Sequence, residues 1–373
     1  MKQKFYNLLL LNRFLKLILF LSFNFIFFNV KHKYKKKIGV IGLAHSHNIG
    51  NILLKYAIFI KLTEFGFDPY IIGQRYRTHN ISLLLEKTKV KIINLIYLEQ
   101  IFFFFLNLKV NNSFSEIKEK EYDILMVNSD QTWRKWDDYF YDIAFLKFAE
   151  NWNIPKFVYG ASLGLDTWEF TKADENISKY LLKKFTGIST REIGSKKLIK
   201  KYLGINSEFV LDPTLLIDKK YYLDLIKDFK NDVIINKTFI FVYTVTNSEK
   251  FKNYIKSINT KYNIYFINAR VKDQIKKFIY GIYNCKAVIT DSFHGTIFSI
   301  IFNKPFISFI YKNHGKERFN TLKSIFNLEN RIFGSNSIPN IKLLEAPLII
   351  NKNIIKKCKK KSIQFLKRNL NYY

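Results

Sequence analysis

The chain has 373 residues, of which 48% are hydrophobic, and this excludes a mainly disordered protein because so much apolar surface can fill real cores. The formal net charge is +31, but only nine of the 61 basic residues are arginine, and lysine is spread along the whole chain. A nucleic-acid-binding surface would carry clustered arginine within a known module, so the sequence predicts no nucleic-acid partner.

The first 36 residues combine an apolar run with basic flanks. Residues 17–30 are mostly apolar, but this run is shorter than the about 20 residues that a membrane-spanning helix needs. No small-residue cleavage site follows it, which argues against a signal peptide. The pattern leaves three interpretations open for residues 1–36: an interfacial membrane anchor, a peripheral element, or upstream sequence outside the fold.

The globular part begins at Lys37 and opens as strand, loop, helix and strand, which is typical of a doubly wound α/β sheet. The first helix is predicted from Asn51 to about Phe65, where Gly66 is suited to end it. An apolar run at Ile101–Leu106 fits no element clearly. Short apolar segments, as parallel sheets require, predict the strands Lys37–Ile41, Pro69–Ile72, Lys89–Ile96, Tyr122–Val127, Lys156–Ala161, Phe185–Thr190 and Glu208–Leu211. Residues 37–215 are therefore predicted to form a first α/β domain.

A second α/β unit follows the Asp-Pro-Thr sequence at residues 212–214, which we interpret as the end of the first domain. Its predicted strands are Thr238–Val245, Tyr262–Ala269, Lys286–Thr290 and Pro305–Ile310, and the predicted helices are Asp273–Cys285, Gly295–Phe302 and the Lys-rich Ile354–Leu370. The second domain covers residues 216–345, and residues 346–373 carry the last helix. Two Rossmann-like domains facing across a cleft, with a C-terminal closing helix, make a glycosyltransferase-B-like α/β fold.

The strongest local signal is the sequence Asp-Ser-Phe-His-Gly-Thr at residues 291–296, between a strand and a helix. Open α/β sheets bind ligands at the carboxyl ends of their strands, and the amino end of a helix favours an anion. Gly295 allows a ligand to approach closely, and His294 can donate a proton near neutral pH. The alternative is that Ser292 only caps the helix and His294 is a satisfied buried imidazole. The position at a strand end favours a functional role.

Three further segments carry polar groups, and each has a structural alternative. Residues 128–133 place polar side chains beside Trp133, which suits a saccharide, unless the indole simply packs on the sheet. Arg191 follows another strand, where it can clamp a phosphate or carboxylate or can be a solvated charge. Residues 48–51 precede the first helix, where a capping turn is the simpler interpretation.

These four segments, together with residues 159–164 and 211–216, resemble the polysaccharide pyruvyl transferase family. The motifs occur in the family's order: N-x-G-N at 48–51, Y-D-x-x-x-V-x-S-D-Q-x-W at 122–133, Y-x-A-S-x-G at 159–164, I-S-x-R-E at 188–192, L-D-P-T-L-L at 211–216 and V-I-T-D-S-F-H-G-T at 288–296. No single motif is decisive, but six in this order are highly specific. The resemblance runs from about residue 37 to 331, and residues 81–120 match poorly.

The resemblance implies transfer of a carboxyvinyl group from phosphoenolpyruvate to a sugar of a cell-surface polysaccharide or its precursor, often with formation of a cyclic pyruvate ketal. It implies that His294 donates the proton and that Arg191 holds the phosphate or carboxylate of the donor. The other donor-side candidates are Asp291, Ser292, Gly295 and Thr296, and the acceptor-side candidates are Asn48, Gly50, Asp130, Gln131 and Trp133. The implied scheme requires no metal and no cofactor besides the donor substrate.

One position departs from the family pattern and keeps other functions open. Better-studied members carry an arginine two residues before the histidine, where this chain has Ser292. We hypothesise that Lys304, Lys312 or Lys316 supplies the missing charge. The alternatives are a glycosyltransferase that uses a nucleotide sugar on the same scaffold, and a non-catalytic partner in polysaccharide assembly.

The cellular compartment that we expect for the protein follows from its cysteines and from the implied donor, phosphoenolpyruvate. Cys285 and Cys358 lie far apart without metal-ligand spacing, which indicates a reducing compartment without a disulfide or zinc site. Phosphoenolpyruvate is made in the cytoplasm, so we expect a cytoplasmic protein whose acceptor is a saccharide or lipid-linked saccharide. Contact with the inner membrane face through residues 1–36 stays open.

Overall fold

The computed structural model describes residues 35–42, 48–74, 107–111, 113–135, 140–229, 238–258, 260–268, 274–311 and 315–371. Nearly all of the N-terminal segment, for which contact with a membrane was one open interpretation, lies outside these residues. The predicted strand Lys89–Ile96, the apolar run Ile101–Leu106 and Lys312 also lie outside them.

A seven-stranded parallel sheet forms the first half of the fold. Its strands are β1 (Lys37–Ile41), β2 (Asp68–Gln74), β3 (Leu108–Asn111), β4 (Ile124–Val127), β5 (Lys156–Ala161), β6 (Gly187–Thr190) and β7 (Glu208–Phe209). The strand order β3-β2-β1-β4-β5-β6-β7 shows that the chain winds outward from β1 in both directions. Every residue of β4 and β5 is buried, as a sheet covered on both faces requires.

A five-stranded parallel sheet forms the second half. Its strands are β8 (Phe239–Thr244), β9 (Asn263–Asn268), β10 (Ala287–Thr290), β11 (Phe306–Ile310) and β12 (Ile332–Gly334). The order β12-β11-β10-β8-β9 places β10 at the centre, so the histidine motif follows the middle strand. Two parallel-sheet domains confirm the predicted α/β class, although the sequence did not predict the strands β3 and β12.

The α-helices within the described residues are α1 (Ile49–Glu64), α2 (Phe140–Phe145), α3 (Lys172–Leu182), α4 (Ile193–Leu203), α5 (Lys219–Asp224), α6 (Glu249–Ser257), α7 (Gln274–Asn284), α8 (Phe293–Ile301), α9 (Lys316–Phe326) and α10 (Lys352–Asn369). Helix α1 begins two residues before the predicted Asn51, because the Asn48 side chain caps it. Helix α8 likewise begins at Phe293, before the predicted Gly295, because Ser292 is its cap. None of the described helices combines the length and apolar character that crossing a membrane requires.

One apolar core joins the two sheets. Ile52 and Leu53 of α1 belong to the same cluster of buried residues as Phe241 of β8 and Phe298 of α8. Burial of such side chains is the main favourable contribution to folding. Because α1 and α8 pack against each other, the helix after the first strand and the helix after the histidine motif are fixed together.

Helix α10 closes the fold by packing on the first sheet. The ring of Phe365 lies 6.3 Å from the ring of Phe157 and 6.2 Å from that of Tyr159, both in β5. Asn369, at the end of the helix, lies within hydrogen-bond distance of Thr186, with 3.2 Å between side-chain oxygens. The last helix of the chain therefore returns to the first half, as expected for a closing helix.

We expect Ser362→Ala in α10 to lower the free energy of unfolding by about 1–2 kcal/mol. Ser362 is fully buried, and its hydroxyl accepts a 2.9 Å hydrogen bond from the backbone N–H of Leu211. Alanine would leave that N–H without its partner. Chemical denaturation measures the loss, and Gln364→Ala on the exposed face of the same helix should stay within about 0.5 kcal/mol of wild type. Equal losses in the two variants would contradict the expectation.

Candidate active site

The N-x-G-N motif and the histidine motif meet where α1 and α8 begin. A Cβ built on Gly50 would lie only 1.9 Å from Nδ1 of His294, so the imidazole rests against bare glycine backbone. The Asn48 side chain accepts a 2.8 Å hydrogen bond from the N–H of Gly50 and fixes the start of α1. Of the two predicted acceptor-side residues here, Gly50 therefore packs directly on the imidazole, and Asn48 caps the helix that carries Gly50.

The imidazole of His294 is buried beside a carboxylate. His294 is 5% exposed, and within the described part of the chain its Nε2 has no hydrogen-bond partner. Nε2 lies 3.7 Å from Oδ2 of Asp212, which allows an ion pair when the imidazole is protonated. Burial acts to raise the pKa of Asp212, but its interaction with His294 and the charge of Arg191 outweigh burial and hold that pKa well below its usual range. Asp212 is therefore an ionised partner for an imidazolium.

Asp212 is fixed in place by further hydrogen bonds. Thr214 donates to Oδ1 from its hydroxyl at 2.6 Å and from its backbone N–H at 3.0 Å. Arg191 donates to Oδ2 from Nη1 at 2.8 Å. The role of Asp212 was not predicted, because residues 212–214 were interpreted only as a domain end, although the L-D-P-T-L-L motif contained the signal.

Arg191 is surrounded by protein carboxylates. Its side chain is 1% exposed, and besides Asp212 it pairs with Asp130 through Nη2 at 3.1 Å and with Glu192 through Nε at 3.4 Å. Burial acts to lower the pKa of Arg191, but these carboxylates, led by Asp212, raise it. The arginine therefore holds Asp130 and Asp212 in position, and its contact with a donor anion stays a prediction.

Asp130 sits in an unusual backbone conformation at the end of β4. Its φ of 111° is rare for a residue with a side chain and costs on the order of 1–3 kcal/mol. The carboxylate accepts a 2.8 Å hydrogen bond from Nδ2 of Asn51, and the side chain is 14% exposed. Burial acts to raise its pKa, but Arg191 and then Arg318 lower it. A strained, ionised carboxylate at this edge of the sheet is suited to a binding role.

The two remaining acceptor-side candidates lie in different surroundings. Gln131 packs closely on Gly164, where an added Cβ would stand 2.8 Å from the glutamine Cδ. Trp133 is 1% exposed, its indole N–H donates a 3.0 Å hydrogen bond to the carbonyl of Ala144, and its ring packs on Phe145. Trp133 therefore lies in the core, as the alternative interpretation had it, and we remove it from the acceptor-side candidates.

The donor-side candidates after β10 fasten α8 to the sheet. Asp291 accepts two backbone hydrogen bonds, at 2.7 and 3.2 Å, from the turn after β8. Ser292 caps α8 by accepting from the N–H of Gly295 at 3.2 Å, and its carbonyl accepts from the hydroxyl of Thr296 at 3.0 Å. A Cβ on Gly295 would lie 2.4 Å from Oγ1 of Thr290, so this glycine permits close helix–strand packing. These four residues position the histidine.

Neither of the two described lysines supplies the positive charge missing at position 292. Lys304 donates from Nζ to the carbonyl of Cys285 at 2.9 Å, near the amino end of β10 and away from the site. Lys316 points to the surface, where its Nζ lies 3.6 Å from a carboxylate oxygen of the exposed Asp166. The compensation expected from Lys304 or Lys316 is therefore not found, and Lys312 lies outside the described residues.

A cation that was not predicted from the sequence, Arg318, lies in the first turn of α9. Its Cζ is 4.9 Å from the ring centroid of Phe293, and the Cζ of Arg191 is 5.3 Å from the same centroid. The Phe293 ring lies 5.4 Å from the imidazole of His294. Burial and then the charge of Arg191 lower the pKa of Arg318 to about 10. No motif in the sequence marks this residue, and helix α9 was not predicted.

The fold is similar to solved structures of UDP-GlcNAc 2-epimerases. The enzyme from Methanocaldococcus jannaschii has a TM-score of 0.56 and 16% identity, over 89% of this chain and 99% of that chain. The enzyme from Neisseria meningitidis, solved with UDP-GlcNAc, has a TM-score of 0.53 and 15% identity, over 89% of this chain and 100% of that chain. Similarity at this level of identity shows the fold alone, and it confirms the predicted glycosyltransferase-B-like arrangement.

The sequence, and not the similarity in fold, assigns the chain to a family. No curated protein sequence matches this chain. A model of the polysaccharide pyruvyl transferase family matches residues 48–313, which is more than half of the chain and spans both the N-x-G-N motif and the histidine motif. The chain therefore belongs to the polysaccharide pyruvyl transferase family, a family of transferases that act on saccharides.

Proposed function

We propose that the protein transfers a pyruvyl group from phosphoenolpyruvate to a saccharide hydroxyl, with His294 as the proton donor. The observation that carries the proposal is the buried imidazole, which rests on Gly50 and presents Nε2 near Asp212 without a hydrogen-bond partner among the described residues. A nitrogen in this setting can hold a proton and pass it to a bound substrate. Membership of the family supports the same reaction class.

In the proposed first step, Nε2 of His294 protonates the methylene carbon of phosphoenolpyruvate. That carbon becomes a methyl group, and positive charge develops on the adjacent carbon. The ionised Asp212 stabilises the imidazolium before the transfer, and Arg191 and Thr214 keep the carboxylate from turning away. The proton donor is thus oriented before the substrate reacts.

A sugar hydroxyl then attacks the positive carbon and returns a proton to the imidazole. The bond from that carbon to the bridging oxygen breaks, and phosphate leaves with the bonding electrons. Attack by a second hydroxyl, whose proton goes to the phosphate, closes a cyclic ketal. If only one hydroxyl reacts, loss of a methyl proton to the phosphate leaves a carboxyvinyl ether. The proposed steps use neither a metal nor an organic cofactor.

The donor side of the proposed site lies at the start of α8. Asp291, Ser292, Gly295 and Thr296 act there by fixing the helix and its histidine. Positive charge near the departing phosphate lowers the barrier, because it stabilises the transition state more than the bound substrate. Arg191, whose guanidinium lies over the ring of Phe293 beside His294, is our candidate for such a charge, and its contact with the donor is a prediction.

The acceptor side of the proposed site lies along the start of α1 and the end of β4. Asn48, Gly50, Asp130 and Gln131 are the residues we assign to it. The support is strongest for Asp130, whose partly exposed and ionised carboxylate can accept hydrogen bonds from sugar hydroxyls. A saccharide, free or lipid-linked, is the proposed partner, and use of phosphoenolpyruvate would place the reaction in the cytoplasm.

Binding of phosphoenolpyruvate is expected to stabilise the full chain by about 2.7 kcal/mol at a concentration of 100 times Kd. Thermal unfolding with increasing ligand measures this, and UDP-GlcNAc is the comparison ligand because an enzyme of the same fold was solved with it. A saturable rise with phosphoenolpyruvate that weakens in His294→Gln supports the proposal. A rise with UDP-GlcNAc alone would point to a nucleotide-sugar enzyme, and a response to neither ligand would favour a non-catalytic partner; both results would overturn the proposal.

A further inference from the structure

Arg318 belongs to the second half of the chain, yet it reaches the site because α9 docks on the start of α4. Glu317 accepts a 2.9 Å hydrogen bond from the backbone N–H of Gly194. A Cβ on Gly194 would lie 2.4 Å from Cδ of Glu317, so α9 approaches α4 as closely as a glycine permits. This contact fixes Arg318 on the same side of the fold as Arg191.

The guanidinium of Arg318 is held in one place from two sides. Gly315, with a φ of 75°, precedes α9, and a Cβ there would lie 2.3 Å from Nη2 of Arg318. The guanidinium therefore folds back over bare backbone at the start of the helix. The ring of Phe293 covers it from the other direction, with Cζ 4.9 Å from the ring centroid. An arginine fixed in this way loses little conformational entropy when it binds an anion.

Two arginines on one aromatic ring make this region favourable for negative charge. Arg191 and Arg318 both lie within 5.3 Å of the Phe293 ring centroid, and Arg191 already has three carboxylate partners. One of these partners is Glu192, and burial raises the pKa of its carboxyl group. Glu192 therefore offsets less of the positive charge of the arginines than a fully ionised carboxylate would. Burial, and then repulsion by the charge of Arg191, disfavour the ionised form of Arg318 and lower its pKa. A multiply charged anion beside Arg318 would relieve this repulsion.

We propose that Arg318 binds the phosphate group of the donor, in place of the arginine that other family members carry at the position of Ser292. The Ser292 hydroxyl is engaged as the cap of α8, whereas a guanidinium can donate two parallel hydrogen bonds to phosphate oxygens. Arg191 then acts mainly by positioning Asp130 and Asp212. The identity of the donor rests on the proposed function, but the anion-binding role of Arg318 does not.

The test measures the affinity of phosphoenolpyruvate and of inorganic phosphate for the full chain by calorimetry. Arg318→Gln is expected to weaken phosphoenolpyruvate binding about 10- to 100-fold, the range that loss of a charge-assisted hydrogen bond gives. Arg318→Lys keeps the charge but loses the paired geometry, so we expect a smaller loss of about tenfold. Lys316→Gln, two residues earlier on the same helix, is the matched control and should stay within about threefold of wild type.

The outcomes separate this inference from the proposed function. If wild type binds phosphoenolpyruvate and a folded Arg318→Gln binds it equally well, the assignment of Arg318 is wrong and the proposed function stands. If Arg318→Gln does not fold, Arg318→Lys decides, and unchanged affinity overturns the assignment. If wild type binds inorganic phosphate through Arg318 but does not bind phosphoenolpyruvate, the anion site stands and the proposed function falls.

Discussion

Asp212→Asn is expected to lower kcat by about 10²- to 10⁴-fold, the range that loss of general acid–base function gives. The reason is the ion pair across 3.7 Å between Oδ2 of Asp212 and Nε2 of His294. An amide has nearly the shape of the carboxylate but cannot stabilise the imidazolium that must form before proton transfer. Release of phosphate from phosphoenolpyruvate in the presence of a saccharide acceptor measures the rate.

The same ion pair predicts that the effects of two substitutions do not add. His294→Gln removes the proton donor itself, so its kcat should fall at least as far as that of Asp212→Asn. Once the imidazole is gone, Asp212 has no proton donor to stabilise, and the double variant should be no slower than His294→Gln alone. Additive losses would mean that the carboxylate acts on the reaction independently of the histidine.

Stability has to be measured alongside activity, because Asp212 also neutralises the buried Arg191. Breaking a buried ion pair from one side costs about 3–5 kcal/mol, so Asp212→Asn should also melt at a lower temperature. Rates are therefore compared below the melting temperature of each variant. Asp218→Asn is the control, since Asp218 is exposed and asparagine caps a helix as well as aspartate does. A kcat for folded Asp212→Asn within threefold of wild type would contradict the assigned role.

Local patterns in the sequence were sufficient to find the framework of the fold. The apolar segments Lys37–Ile41 and Lys156–Ala161 form β1 and β5 with the predicted bounds, because a short buried run between turn residues has few alternatives to a parallel strand. The start of α8 was placed two residues late, at Gly295 instead of Phe293. The cap at Ser292 explains the difference, since the helix begins directly after a capping residue. His294 therefore lies in the first turn of the helix.

The contacts that build the site were harder to predict because they join distant parts of the chain. Position in sequence shows that His294 follows a strand, but not that its imidazole packs on Gly50. Trp133 follows a strand in the same way, yet its indole turns into the core. Arg318 enters the site only because α9 docks on α4, and no motif marks it. Strand-end positions thus identify candidates, and tertiary packing decides which of them face a ligand.

Gly50→Ala is expected to lower kcat by about 100-fold, because a misplacement of about 1 Å in a reacting group can cost that much. The added Cβ would lie 1.9 Å from Nδ1 of His294, far inside the 3.4 Å at which ordinary contact begins. The imidazole would have to move away from its place beside Asp212. Alanine favours helix by up to about 1 kcal/mol over glycine, so this gain works against the steric cost and keeps the loss of stability small compared with the loss of rate.

Gly66→Ala, just beyond the other end of α1, separates the steric effect from a general effect of replacing glycine. Gly66 has a φ of 84° with no atom within 4 Å of an added Cβ, so alanine there should cost about 1 kcal/mol of backbone strain and leave kcat unchanged. Comparison of kcat and melting temperature for the two variants tests the idea. If Gly50→Ala keeps wild-type kcat, the imidazole can work from another position, and the close contact between α1 and α8 does not set the geometry of proton transfer. If both variants lose activity equally, the cause lies in the stability of α1 and not in the position of His294.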